Sequence, residues 1–241
     1  MSEHLNINYA YFTIKKPGGN DVETIVTATD NEIRDFIRSL HFSLGGIKSL
    51  PDSTTEELRS LYDSGEFSEC IRKVKHILKL NDLTLRICYI NEHCKQESLR
   101  TLLMDAIKKM GYTVSQSALA KDLTDAGALI LQPRYFPLYG TREFTEMKIL
   151  MFIFRRIVRT SLEIFIYSIS HELSHVILAM SNHPLRNNEV AVDLTAMILG
   201  FSDIIRIGRK SESIASCGYL DDRQFKLAYE EIQRRKKIIH L

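Results

Sequence analysis

His171-Glu172-Leu173-Ser174-His175 sets two imidazoles four positions apart with a carboxylate beside the first. On a helix this spacing puts both histidines on one face about a turn apart, so both rings reach one metal ion from the same side. Zinc is the expected ion. A zinc held this way keeps an open position for water, and Glu172, on the flank, takes a proton from that water and later delivers it to a leaving amine. The chemistry to expect is peptide-bond hydrolysis by a zinc-dependent peptidase, with a peptide or protein as substrate.

A catalytic zinc takes three protein ligands, so the two histidines need a partner. Glu189 is the best candidate, fourteen positions beyond His175 and at the start of a second helical pattern. Asp193, one turn further along the same face, is placed to accept the other ring N–H of a ligating histidine and so fix its tautomer. Taken singly, Glu189 reads as a helix-start carboxylate and Asp193 as a solvated charge. Their joint spacing behind HExxH raises both above those readings.

The elements that must position these groups follow from the surrounding residues. Ser161–Ser170 and Val176–Met180 are apolar and free of Pro and Gly, as a buried helix requires. Ser181-Asn-His-Pro-Leu-Arg186 is rich in helix breakers, and a second helix is expected over Asn187–Gly200. Met147–Met180 reads as one long helix, or two joined near Arg159.

HELSH followed by Asn188-Glu189-x-x-x-Asp193 resembles the gluzincins, the thermolysin-like metallopeptidases with two histidine ligands, a downstream glutamate ligand and an aspartate behind one histidine. The resemblance covers residues 165–201, and the short intervening turn resembles a compact bacterial relative more than thermolysin itself. It implies that an edge strand beside the metal helix holds the substrate backbone by strand addition, expected here at residues 128–136. A metzincin is excluded, because its Gly and third His positions are Leu178 and Ser181. The ImmA/IrrE-like regulatory peptidases share the same pattern and remain open.

Peptide hydrolysis also needs a donor for the oxyanion formed at the scissile carbonyl. Tyr219, His183, Arg134 and Tyr139 are candidates, with Tyr219 placed first because it follows Gly218 beyond the metal helices. The alternative for Tyr219 is a tyrosine capping the core with its hydroxyl in water. His183 reads as a surface loop residue.

Composition sets outer bounds. The chain has 241 residues, 44% hydrophobic and 26% charged, enough to bury a substantial core. Lys and Arg number 32 against 30 Asp and Glu, a formal +2 that gives no pull toward nucleic acid or anionic membranes. Cys70, Cys88, Cys94 and Cys217 form no CxxC pair and read as reduced thiols of a cytoplasmic protein. The amino-terminal residues do not read as a signal peptide. Arg155, Arg156, Arg159 and Glu163 interrupt the apolar stretch 149–169, so it is not a membrane span.

An α+β fold is expected, divided into an N-terminal α/β region at 1–80, of unknown role, and a metallopeptidase-like domain at 81–241. Residues 7–14 and 22–29 read as a β-hairpin around Lys16-Pro-Gly-Gly-Asn20, followed by a helix capped by Asp30 and running to Leu40, then helices over 55–63 and 67–80. Strands are expected at 83–90 and 128–136, with a helix over 97–110 between them. A competing reading from another class is a zinc-stabilised regulatory or binding protein that performs little or no general proteolysis.

Overall fold

The apolar run over 147–180 folds as two elements of different kinds. In the computed structural model, which describes residues 28–90, 96–109, 127–131, 136–137, 140–210 and 218–239, Lys148–Phe154 is a strand and only Leu162–Met180 is helical. This corrects the expectation of one long helix or two joined helices. Lys148-Ile-Leu-Met-Phe-Ile-Phe154 is the central strand of its sheet and is buried on both faces after its first residue, so it lacks the apolar–polar alternation that betrays a strand. A single 3₁₀ turn, Ile157–Arg159, then leads to Ser161, whose hydroxyl accepts from the Ile164 N–H and starts the metal helix.

In chain order the helices are α1 (Asp30–Ser43), α2 (Asp52–Asp63), α3 (Phe67–Ile77), α4 (Gln96–Lys109), α5 (Arg142–Glu146), α6 (Leu162–Met180), α7 (Glu189–Ala196), α8 (Ser202–Lys210) and α9 (Asp222–Ile239). The strands are β1 (Thr84–Ile90), β2 (Ala128–Leu131) and β3 (Lys148–Phe154), in a sheet ordered β1-β3-β2. β1 runs parallel to β3 and β2 antiparallel to it. The fold is therefore mixed α+β and mostly helical. None of the described helices is long and apolar enough to cross a membrane.

Several boundaries differ from those expected. The cap of α1 is Thr29, not Asp30: Thr29 Oγ1 accepts from the Glu32 N–H while Glu32 Oε2 accepts from the Thr29 N–H, a reciprocal pair that leaves Asp30 as the first helical residue. α2 begins at Asp52 and not at 55, because the carbonyl of Pro51, its cap, accepts from the Thr54 and Thr55 amides. α3 stops at Ile77, and Lys79 follows at φ +58°. The second helix of the site is interrupted at Met197–Phe201 by a π-type turn in which Gly200 stands at φ +116°, a left-handed conformation suited to glycine. The expected hairpin over 7–29 lies almost wholly outside the described residues, as do Cys94 and Cys217, while Cys70 and Cys88 are free thiols.

α6 is the centre of the molecule. It packs against α7, α8, α3 and β2, and apart from Glu163 in its first turn only its last turn approaches the surface. Its buried hydroxyls are satisfied along the helix itself: Ser168 donates to the Ile164 carbonyl at 2.9 Å, Ser170 to Tyr167 at 3.0 Å and Ser174 to Ser170 at 2.7 Å. The helix can therefore sit in apolar surroundings with no side-chain hydroxyl left unbonded among those three, and carry its two histidines inward. α1 packs on α7 and α9, which fixes α7 from the side away from α6.

Candidate metal centre

α6 and α7 bring His171, His175 and Glu189 to one point. His171 Nε2 and His175 Nε2 lie 3.3 Å apart, and Glu189 Oε2 stands 3.4 Å from the first and 3.2 Å from the second. One helical turn separates the histidines, so their convergence is a property of α6 alone. The glutamate arrives because the turn 181–188 folds α7 back on α6, and Asn188 Oδ1 caps α7 by accepting from the Ala191 N–H at 3.0 Å. Glu189 thus occupies the first helical position and aims along α6. The group can hold a metal ion.

The electrostatics of the cluster fit that use. His171 and Glu172 are 0% exposed and His175 2%, whereas the Glu189 side chain keeps 26% of its surface. Glu189 Oε2 itself is buried with no hydrogen-bond partner among the described residues. Burial works against its charge, but the two imidazoles outweigh that and hold it down to about 2. Burial also opposes charge on His171, yet carboxylates at both ring nitrogens, Asp193 and Glu189, lift it to about 10. For His175 burial wins and the pKa is lowered. A buried anion, two buried imidazoles and three atoms facing one another form a donor set that a divalent cation satisfies.

Asp193 lies behind the cluster, fully buried, with Oδ1 2.8 Å from His171 Nδ1. Its position one turn after Glu189 is the one the sequence predicts for a residue that orients a ligand histidine. Tyr219 comes from the far end of the chain and lies beside the same ring: the two ring planes are 17° apart with centroids at 5.8 Å. Tyr167, one turn before His171, meets the same ring edge-on, with centroids at 6.4 Å.

Glu172 points toward the sheet. Its Oε2 accepts from the Ile130 N–H of β2 at 3.0 Å. Phe154 N–H donates to the Gly127 carbonyl, so every second residue of β2 from Gly127 faces β3, and Ala128 and Ile130 turn their backbone groups away from it, to the side where no strand pairs among the described residues. Of the strand expected at 128–136, Ala128–Leu131 is the outer strand of the sheet among the described residues and packs on α6, while 132–135 lie outside them. No residue type signals the Ile130 amide in the sequence, because a backbone N–H is common to every strand residue.

Of the other candidates, His183 is not at the surface. It is 3% exposed, accepts at Nδ1 from the Leu185 N–H at 3.1 Å and lies 3.4 Å from Ser39 Oγ at Nε2, so it ties the α6–α7 turn to α1. Burial lowers its pKa. The corrected reading is a structural histidine: its turn is covered by α1, a neighbour the local sequence does not reveal. Arg134 and Tyr139 lie outside the described residues.

No protein-family model matches the chain, and no curated protein or solved structure matches it either. The α+β fold and the His171–His175–Glu189 cluster stand on their own geometry.

Proposed function

We propose that this protein is a zinc-dependent peptidase in which His171, His175 and Glu189 hold the metal, as the gluzincin-like pattern implies. The observation that carries the reading is the ligand triangle. A tetrahedral zinc with bonds of about 2.05 Å spaces its ligands about 3.3 Å apart, and the ligand atoms here are separated by 3.3, 3.4 and 3.2 Å. When bound, the metal supplies Lewis-acid polarisation of the scissile carbonyl and a water acidic enough to ionise near neutral pH.

The chain's own residues do the rest. Glu172, next in sequence to His171 and held by the Ile130 amide, is the base that takes the water proton and the acid that returns it to the leaving amine. Asp193 accepts the His171 Nδ1 proton, which leaves Nε2 as the ligand atom. Tyr219, stacked on His171, is the candidate donor to the oxyanion. The side of β2 that no strand pairs with among the described residues is the place for an extended peptide, through backbone groups not already used by Glu172.

A second reading is a regulatory peptidase that cuts one partner, or a zinc-stabilised protein that cuts nothing. The near-complete burial of His171, Glu172 and His175 favours restricted access over general digestion. Metal analysis by plasma mass spectrometry of untagged wild type and Glu189→Ala tests the centre: about one zinc per chain in wild type and its loss in the variant are expected. A metal-free wild type would sink the proposal. Broad cleavage of a peptide library would then favour the digestive form over the regulatory one.

A further inference from the structure

Asp193 has both carboxylate oxygens engaged. Oδ1 serves His171, while Oδ2 accepts from the Tyr219 N–H at 2.7 Å and from the Leu220 N–H at 3.3 Å. The two amides belong to a short strap, Gly218-Tyr219-Leu220, that leads into α9. Behind the strap, Arg209 of α8 donates to the Leu220 carbonyl at 2.8 Å and to Asp222 Oδ1 at 2.9 Å, and its guanidinium lies 4.8 Å above the Phe225 ring.

Gly218 allows this approach. It stands at φ +86°, and a Cβ there would lie 1.9 Å from Tyr167 Oη and 2.9 Å from Asp193 Oδ2. Both atoms belong to groups packed around His171, so a side chain at 218 cannot be accommodated without moving the strap, Tyr167 or Asp193.

We propose that Gly218 is a positioning residue of the metal centre, bringing the Tyr219 and Leu220 amides onto Asp193 Oδ2 so that the carboxylate cannot rotate and His171 presents Nε2 to the metal. The inference rests on the metal-binding reading above and extends it to a glycine outside the ligand set. Its consequence is sharpest for Asp193→Asn. At Oδ2 the strap presents two N–H donors, so the amide oxygen must face them and the NH₂ must face His171 Nδ1. The ring then has to accept at Nδ1 and carry its proton on Nε2, the atom that should bind the metal. Without the strap, an asparagine could turn its oxygen to His171 and be tolerated.

The test compares zinc affinity, by chelator competition, and the ligand-field spectrum of the cobalt-loaded protein in four full-length chains: wild type, Gly218→Ala, Asp193→Asn and Gly65→Ala. Gly65 is the control, at φ +78° with nothing within 4 Å of an added Cβ, so its substitution strains a remote turn alone. Gly218→Ala and Asp193→Asn are each expected to weaken zinc by about 10–100-fold and to shift the cobalt bands. Gly65→Ala should lower the unfolding temperature and leave both readouts at wild-type values. A folded Gly218→Ala with wild-type affinity and spectrum would overturn the proposal, and so would an equal affinity loss in Gly65→Ala. Should Gly218→Ala not fold, the near-isosteric Asp193→Asn decides, and wild-type affinity there overturns it. A wild type that binds neither ion refutes the metal reading itself, before any variant is compared.

Discussion

The Ile130 N–H donates to Glu172 Oε2 at 3.0 Å, joining strand β2 to the helix that carries both histidines. A carboxylate anchored this way has one oxygen fixed and cannot swing freely, which is the arrangement a proton-transferring group needs beside its substrate.

Glu172→Gln should retain zinc and lose hydrolysis by about 10²–10⁴-fold, the range that general acid–base groups supply. The amide oxygen can still accept from Ile130, so the fold is expected to survive. Metal content and turnover of a cleaved peptide, measured on the same preparation, check this; full activity at full zinc loading would remove Glu172 from the mechanism.

Replacing Glu189 by Ala takes away the third ligand and leaves two neutral donors. Zinc retained at about one per chain through chelator dialysis would mean that another group completes the site.

In the proposed centre, zinc displaces a proton that the neighbouring carboxylates Asp193 and Glu189 favour on His171. With the His171 pKa lifted to about 10, binding near pH 8 should release on the order of one proton, and affinity should climb with pH up to that value. Calorimetry in two buffers of different ionisation enthalpy reads the proton count directly. In the metal-free protein the sign runs the other way: a His171 pKa raised above its ordinary 6.5 contributes stability that is full below 6.5 and lost as pH rises through about 10. Thermal unfolding without metal should therefore weaken over that window. No alkaline loss would show that the ring is already neutral there.

Tyr219→Phe keeps the ring against His171 and removes the hydroxyl. If that hydroxyl meets the oxyanion, kcat should fall by about 10²–10³-fold with zinc affinity unchanged. An unaltered kcat would leave Tyr219 with its ring contact and its backbone bond to Asp193.

Ile153 belongs to the apolar run whose strand character the sequence hides, fully buried on the core side of β3. Ile153→Ala should cost about 2–5 kcal/mol of unfolding free energy, readable from denaturant titration. A loss within the range of surface substitutions would argue that this segment does not form the centre of the sheet.

The part of this site that lies within one or two helical turns is the part the sequence determines. His171 and His175 face one way because of helical pitch, and Glu189 and Asp193 share a face for the same reason, so their spacing alone announces a donor set. Strands at 84–90 and 128–131 and the helix at 96–109 follow from equally local patterns. Local rules fail where two outcomes fit the same residues. An apolar run such as 148–154 suits a buried helix or a central strand, and only pairing with β1 and β2 decides. His183 is buried because α1 lies over it, a contact with Ser39 that spans 144 positions. The Ile130 amide and the Gly218–Leu220 strap reach Glu172 and Asp193 through backbone N–H groups, which carry no residue identity. What the tertiary structure alone decided was which of those identical groups would be aimed at a buried carboxylate, because that depends on how distant elements pack.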